Sequence, residues 1–264
     1  MRPNALREIW SKGGAAINGW LSIPHVFSSE TMAHQGWDSL TVDMQHGVTD
    51  YQGAIQALTA ISTTATVPLV RVPWLEPGIL MKMLDAGAYG VICPMINTVD
   101  DARLFVRATS YPPRGDRSYG PIRALLYGGR DYPQHANDTI VRMAMIETRT
   151  ALENLQEIVH VDGLDAVYIG PADLSLALGY TPGFDQEEPA VVDAIDRILR
   201  DARAAGKVAG IHNGSPAYAK KMIEKGFQFV TIGSDMRFLA AGAAAAVADM
   251  KDRPEPKPEA RETY

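Results

Sequence analysis

The sequence predicts an α/β protein folded as a single (β/α)8 TIM barrel, and three observations carry that expectation. Short β-branched or apolar runs alternate with longer segments of helical period, the pattern of successive βα units around a parallel sheet. Eight such runs can be counted along the chain. The length, 264 residues with 46% hydrophobic side chains, matches the roughly 250 residues of one complete barrel.

In order, the expected strands are 15–22, 39–43, 68–72, 90–94, 141–147, 166–170, 208–212 and 229–233. The expected helices between and after them are 28–35, 51–61, 77–85, 98–107, 149–159, 189–205, 216–224 and 240–250. Several carry their own punctuation. Pro77 suits a first helical turn, Ser215-Pro216 reads as a cap followed by a first residue, and Asp85-Ala86-Gly87 and Ala204-Ala205-Gly206 mark ends. A short helix over 4–12 is placed to cover the lower mouth of the barrel. The stretch 110–137, rich in Tyr, Pro, Gly and Arg, is long for a connection and is expected to be an active-site loop. The domain is thus taken as 1–250, with 251–264, charged and proline-rich, as a tail without chemistry.

The formal net charge of -6, without a dense Lys/Arg cluster, argues against a nucleic-acid partner, because phosphate backbones are bound by concentrated positive charge. The apolar runs are shorter than the ~18 residues of a membrane-spanning helix. The opening MRPNALREIW shows no signal peptide, and the lone Cys93 excludes an internal disulfide, both of which point to the cytoplasm. A small-molecule ligand is the expected partner.

In such a barrel the chemistry lies at the carboxyl ends of the strands. Asp43 and His46 follow the second run in TVDMQHG, Arg71 ends the third in PLVRVPW, Glu147 ends the fifth in MAMIETR, and Asp173 follows the sixth in YIGPADLSLALG. Two carboxylates with an Arg and a His near them suit an oxygen-preferring cation such as Mg2+ or Mn2+. Zinc is disfavoured: there is no HExxH, no pair of cysteines, and no ligand spacing among His25, His34, His135, His160 and His212. Each residue also has a plain structural reading. Glu147 suits a first-turn acid, Asp173 an N-cap, Arg71 an ion-pair partner and His46 a surface histidine. The Ala-rich segment 240–248 reads as a closely packing helix suited to a subunit interface.

With these motifs in order on the expected strands, together with WDSLTVDMQHG, GVICPMINTVDDAR and the following YPPRGDRSYG, the chain resembles the HpcH/HpaI aldolase family. These are the class II pyruvate aldolases of the phosphoenolpyruvate/pyruvate barrel superfamily. The resemblance implies a lyase that makes or cleaves the C–C bond between a pyruvate-type 2-oxo acid and an aldehyde through a metal-stabilised enolate. It implies Glu147 and Asp173 as ligands of a divalent ion (Mg2+ or Mn2+, with Co2+ as an alternative), His46 as acid/base, Asp43 as its partner, and Arg71 as the enolate-stabilising group. It also implies that Gly170, Pro171, Ala172 and Asp173 grip the substrate carboxylate, and that the subunits form hexamers built from dimers that exchange the last helix. Two positions depart from the common pattern: Gln45 stands where Glu is usual, and Met145 where some members have Gln, which bears on substrate range. Trp20, His212 and the 119–127 loop are expected to line the mouth. The rival readings are a C–C lyase of acyl-CoA esters, for which no basic nucleotide surface is evident, and a barrel scaffold without turnover, which would have no use for the five polar positions together.

Overall fold

The computed structural model describes residues 1–251. Its centre is a closed, all-parallel barrel in the order β1-β2-β3-β4-β5-β6-β7-β8, formed by Ala16–Leu21, Ser39–Asp43, Val67–Arg71, Gly90–Cys93, Val141–Met145, Ala166–Ile169, Val208–Asn213 and Phe229–Ser234. The strands are buried along almost their whole length, as expected when helices cover the outside and side chains fill the inside. The fold is therefore the (β/α)8 barrel that the alternation of runs predicts.

The helices run in chain order from α1, Ala5–Ser11, and α2, Val26–Ala33, to α3, Tyr51–Ile61, α4, Pro77–Asp85, and α5, Val99–Thr109. They continue with α6, Ile122–Gly128, α7, Tyr132–Thr139, α8, Arg149–Glu153, α9, Leu155–Val159, and α10, Pro171–Leu178. The last three are α11, Pro189–Ala204, α12, Pro216–Lys225, and α13, Asp235–Met250. Capping explains the sharpest boundaries. The Asp50 side chain accepts from Gly53 N at 2.8 Å before α3, Thr98 and Asp101 form a reciprocal capping box before α5, and Gly226 closes α12 at φ 115°. The helix expected over 149–159 is broken at Asn154, whose backbone leaves the helical region and whose side chain donates to Asn97 O at 2.9 Å. Among the described residues no helix is long and apolar enough to cross a membrane. The 251–264 tail falls, apart from Lys251, outside the described residues.

The lower end of the barrel is closed as expected by α1. Asn4 Nδ2 donates to Tyr89 O and Thr139 O, both at 2.9 Å, and Leu6 is fully buried. The expectation for 110–137 is corrected here. Helix α5 descends from the carboxyl end of β4, so the connection back to β5 lies on the opposite face, and it contains α6 and α7 rather than one loop. Arg117 Nη2 donates to Asp85 Oδ1 at 2.7 Å, and Arg123 donates to Ala86 O and Leu58 O at 2.7 and 3.1 Å, at the lower ends of α4 and α3. The segment, including 119–127, braces the base of the barrel and does not line this chain's own mouth.

Inside the barrel a polar network replaces part of the apolar filling. Asn18 Oδ1 accepts from the Ser39 and Thr41 hydroxyls at 2.8 and 3.1 Å, and its Nδ2 donates to Thr231 Oγ1 at 3.0 Å. The Tyr168 hydroxyl donates to the same Thr231 oxygen at 2.7 Å and meets His212 Nδ1 at 3.1 Å. All of these groups are buried, so losing one partner strands the others without water. Thr231→Val is expected to lower the unfolding free energy by about 1–3 kcal/mol, measured by urea denaturation. An unchanged midpoint would show that the network carries no stability.

Candidate active site

Strand register brings Asp43 and Arg71 together, because they are paired positions on β2 and β3. Arg71 Nε donates to Asp43 Oδ1 at 2.9 Å and Nη2 to Oδ2 at 2.7 Å, a two-point grip. Trp20 Nε1 donates to Asp43 Oδ2 at 3.1 Å, and the Arg71 guanidinium lies 4.9 Å from the Trp20 ring centre. The ion-pair reading of Arg71 therefore holds alongside any catalytic one. Asp43, Arg71 and Glu147 are each no more than 2% exposed.

Asp43 also organises the turn that carries His46. Its Oδ1 accepts from Gln45 N at 3.0 Å and from His46 N at 3.3 Å. A side chain on Gly47 would come within 2.4 Å of Asp43 O, so glycine is required for the turn to fold back. The expected partnership of Asp43 with His46 thus runs at least in part through the backbone. His46 stands exposed at the rim. Burial and the Arg71 charge hold its imidazole below the usual histidine range, against the opposing pull of Asp43 and Asp173, which leaves it neutral at pH 7 and able to accept a proton. At the departure site, Gln45 Oε1 is buried with no hydrogen-bond partner among the described residues.

Glu147 follows β5 just ahead of α8, and Asp173 lies in the first turn of α10, three residues after the Gly170 cap. Glu147 Oε1 accepts from Met95 N at 2.8 Å, and Met95 holds a left-handed backbone, φ 56°. That conformation costs a non-glycine residue roughly 1–2 kcal/mol and aims the N–H at the carboxylate. A side chain on Gly170 would come within 2.7 Å of Glu147 Oε2, so glycine keeps the space beside that oxygen open. Burial and, to a lesser degree, Asp173 raise Glu147 to about 7. A buried carboxylate that resists ionising alone, with a second carboxylate beside it, suits a cation. Among the described residues no group of three or more His, Cys, Asp or Glu side chains is placed to hold a metal ion.

Trp20 and His212, expected to line the mouth, lie near the carboxyl ends of β1 and β7 and are both buried. Their rings meet edge-on at 5.0 Å. Burial, with smaller pushes from Arg71 and Arg237, takes His212 down to about 3, so it is a neutral hydrogen-bonding group. The Tyr168 hydroxyl meets His212 Nδ1 at 3.1 Å and Thr231 Oγ1 at 2.7 Å, which fixes the orientation of the ring. Gly170, Pro171 and Ala172 begin α10, whose first N–H groups have no intrahelical acceptor. Sequence reasoning missed Phe184, packed on His212 at 4.7 Å, along with Tyr168, Arg237 and the Met95 backbone. The glycine-flanked Phe184 and the Ser234-Asp235 cap ahead of Arg237 were the available signals.

A parallel barrel with paired carboxylates, a clamped arginine and a rim histidine at the carboxyl ends of its strands defines a class of enzyme handling oxygen-rich small molecules. The comparisons narrow that class: residues 20–242 match the model for HpcH/HpaI aldolase/citrate lyase, and the chain belongs to that family. It is 44% identical over 248 residues to a hydroxypyruvate/pyruvate aldolase of Rhizorhabdus wittichii, covering 94% of this chain and 99% of the relative. It is 39% identical over 250 residues to a 4-hydroxy-2-oxo-heptane-1,7-dioate aldolase of Salmonella arizonae, covering 93% and 94% of the two chains. The solved structure of a family member from Burkholderia cenocepacia superposes with a TM-score of 0.88 at 32% identity, covering 94% of this chain and 99% of that one.

The raised Glu147 value has a definite sign. The metal-free folded state holds this proton more tightly than the unfolded chain, so the group costs nothing below pH 4.5 and destabilises increasingly as pH rises to about 7. Relative to Glu147→Gln, the metal-free protein is expected to lose on the order of 3 kcal/mol across that window, read as diverging thermal midpoints. Saturating Mg2+ or Mn2+ at pH 8 is expected to raise the midpoint of the native protein more than that of the Gln variant. A difference that stays flat with pH would contradict the buried-acid account.

Proposed function

We propose that the chain is a divalent-metal-dependent aldolase joining or cleaving a pyruvate-type 2-oxo acid, pyruvate or hydroxypyruvate, and an aldehyde. The observation that carries this reading is the convergence of the Asp43-clamped Arg71 with the buried Glu147 and its neighbour Asp173 at one barrel mouth, in a chain whose named relatives are aldolases.

In the cleavage direction the hydroxyl on C4 of a 4-hydroxy-2-oxo acid loses its proton and the C3–C4 bond breaks. The electron pair passes to the pyruvate fragment as an enolate, and an aldehyde departs. His46 takes the proton, being neutral and at the rim, and returns one to C3. Arg71 is held by its two bonds to Asp43 and its place against Trp20, so its guanidinium meets the enolate oxygen without reorganisation as charge develops there. The N–H groups of Ala172 and Asp173 at the start of α10 hold the substrate carboxylate. Glu147 and Asp173 are the residues to hold the cation, Mg2+ or Mn2+, with Co2+ compatible with the same donors. When bound, that cation supplies Lewis acidity at the 2-oxo acid. No lysine ends a barrel strand, which leaves a Schiff-base route without its nucleophile at these positions.

The same reading includes an oligomer built through α13. Along 16 residues this helix buries only Asp235 and Ala248, while Met236, Phe238, Leu239, Val247 and Met250 are exposed. On the outer face of β1, Ile17 is 41% exposed, at a place where a barrel ordinarily has helical cover. Exchange of α13 between two subunits supplies both missing surfaces, and a hexamer built from three such dimers follows the family pattern.

Aldol addition of pyruvate or hydroxypyruvate to a simple aldehyde is expected to stop with EDTA and return with Mg2+ or Mn2+, with His46→Ala lowering kcat about 10²–10⁴-fold. Turnover that persists after complete metal removal would overturn the mechanism. Leu239→Asp combined with Val247→Asp is expected to shift the solution mass, by light scattering, toward that of the single chain. An unchanged mass would place the contact elsewhere.

A further inference from the structure

The loop between β4 and α5 contributes no side chain to the proposed chemistry, yet it reaches the carboxylate that follows β5. Met95 is its pivot. Among the described residues Met95 is the one non-glycine position with a positive φ, 56°, and such a conformation persists only where neighbouring bonds over-determine it. Both of its peptides are gripped. On one side its N–H donates to Glu147 Oε1 at 2.8 Å, and on the other its carbonyl accepts from Asn97 Nδ2 at 3.0 Å.

Asn97 is itself held from three directions. Its side-chain oxygen accepts from the Thr148 hydroxyl, its carbonyl accepts from Asn154 Nδ2 at 2.9 Å, and its N–H donates to Asp101 Oδ2 at 3.1 Å. Thr148 directly follows Glu147 in the chain, so the bonds close a ring from Glu147 to Met95, Met95 to Asn97, Asn97 to Thr148, and back through the backbone. The segment that carries the acid thus also anchors the group that aims it. Thr148 Oγ1 accepts in addition from Ala151 N at 3.0 Å at the start of α8, which keeps Thr148 from following a moving partner. Helix capping does not account for the Asn97 side chain, because Thr98 and Asp101 complete the cap of α5 between them. Its amide instead bridges the Met95 curl to the residue after Glu147.

We propose that Asn97 is a positioning residue for the cation: by holding the Met95 peptide in its left-handed turn, it keeps the N–H aimed at Glu147 Oε1 and so fixes how the carboxylate faces the metal site. Oε1 is engaged there, while Gly170 keeps the space beside Oε2 open. This rests on the reading of Glu147 and Asp173 as the holders of the ion, and it adds a residue that sets how tightly they hold it. Removing the Asn97 amide frees Met95 to relax toward the backbone conformations that ordinary side chains prefer. That relaxation withdraws the N–H and lets the carboxylate turn.

The test is Mn2+ binding to the metal-free protein, read from the electron paramagnetic resonance of the free ion, without substrate or turnover. Asn97→Leu, close to asparagine in volume, removes both side-chain bonds and is expected to raise the Mn2+ Kd about tenfold or more. Adding Met95→Gly is expected to recover about threefold or more of that loss, beyond any gain Met95→Gly gives alone, because glycine takes the left-handed turn without steric cost. An asparagine that only stabilised the loop would show no such recovery. Urea midpoints of the metal-free variants check folding. Thr148→Val cuts the ring at its other bond, is expected to weaken Mn2+ binding in the same sense, and decides the question by the same criteria if Asn97→Leu does not fold. A Kd within about twofold of native, or a loss that Met95→Gly leaves unrepaired, would overturn the assignment while leaving Glu147 as a ligand. Native protein that binds no Mn2+, or binding unchanged in Glu147→Gln, would overturn the metal site and this assignment with it.

Discussion

The site depends on burying one carboxylate against one guanidinium. Withdrawing two ions from water costs several kcal/mol each, and the cost is recovered only when their hydrogen-bonding capacity is met. Asp43 and Arg71 meet it by a fork of two bonds, with Trp20 and two backbone N–H groups filling the remaining acceptor positions of the acid. Strand register makes the fork available, because β2 and β3 place these residues side by side. Breaking either member would leave the other charged and stranded, so the pair fixes together the arginine, the indole and the His46 turn.

The polar chain beneath this pair extends the same logic into the barrel. Asn18, Ser39, Thr41, Thr231 and Tyr168 form a buried network whose upper end is His212. Such networks specify orientation more than they add stability. Here the orientation passes to an imidazole at the mouth, while the lower face, braced by α1 and by the Arg117 and Arg123 contacts, is given over to holding the barrel shut.

Much of this was legible in the sequence wherever a local rule and the global pattern agreed. The ranges 51–61, 77–85 and 39–43 match their elements to the residue, since Asp50, Pro77 and the Ser-Leu-Thr-Val-Asp run each carry an unambiguous local signal. Asp43, Arg71, Glu147 and Asp173 were recognisable because barrel closure gathers residues that follow successive strands. The 110–137 stretch was misplaced because its composition resembles a functional loop, while its position after a descending helix, the decisive fact, is topological. Helix α13 begins at Asp235 rather than 240 because the Ala-rich run overshadowed the Ser234 cap. Phe184 and Arg237 have no motif of their own; only the packing of two distant loops makes them neighbours.

The Met95 backbone deserves a different kind of consequence. Its N–H, not its side chain, holds Glu147, and what the position demands is a left-handed curl of the chain. Any residue placed there has to adopt that curl, and one that does presents the same N–H to the acid whatever its side chain. Part of the candidate site is therefore set by the shape of the main chain, which the identity of a side chain does not announce.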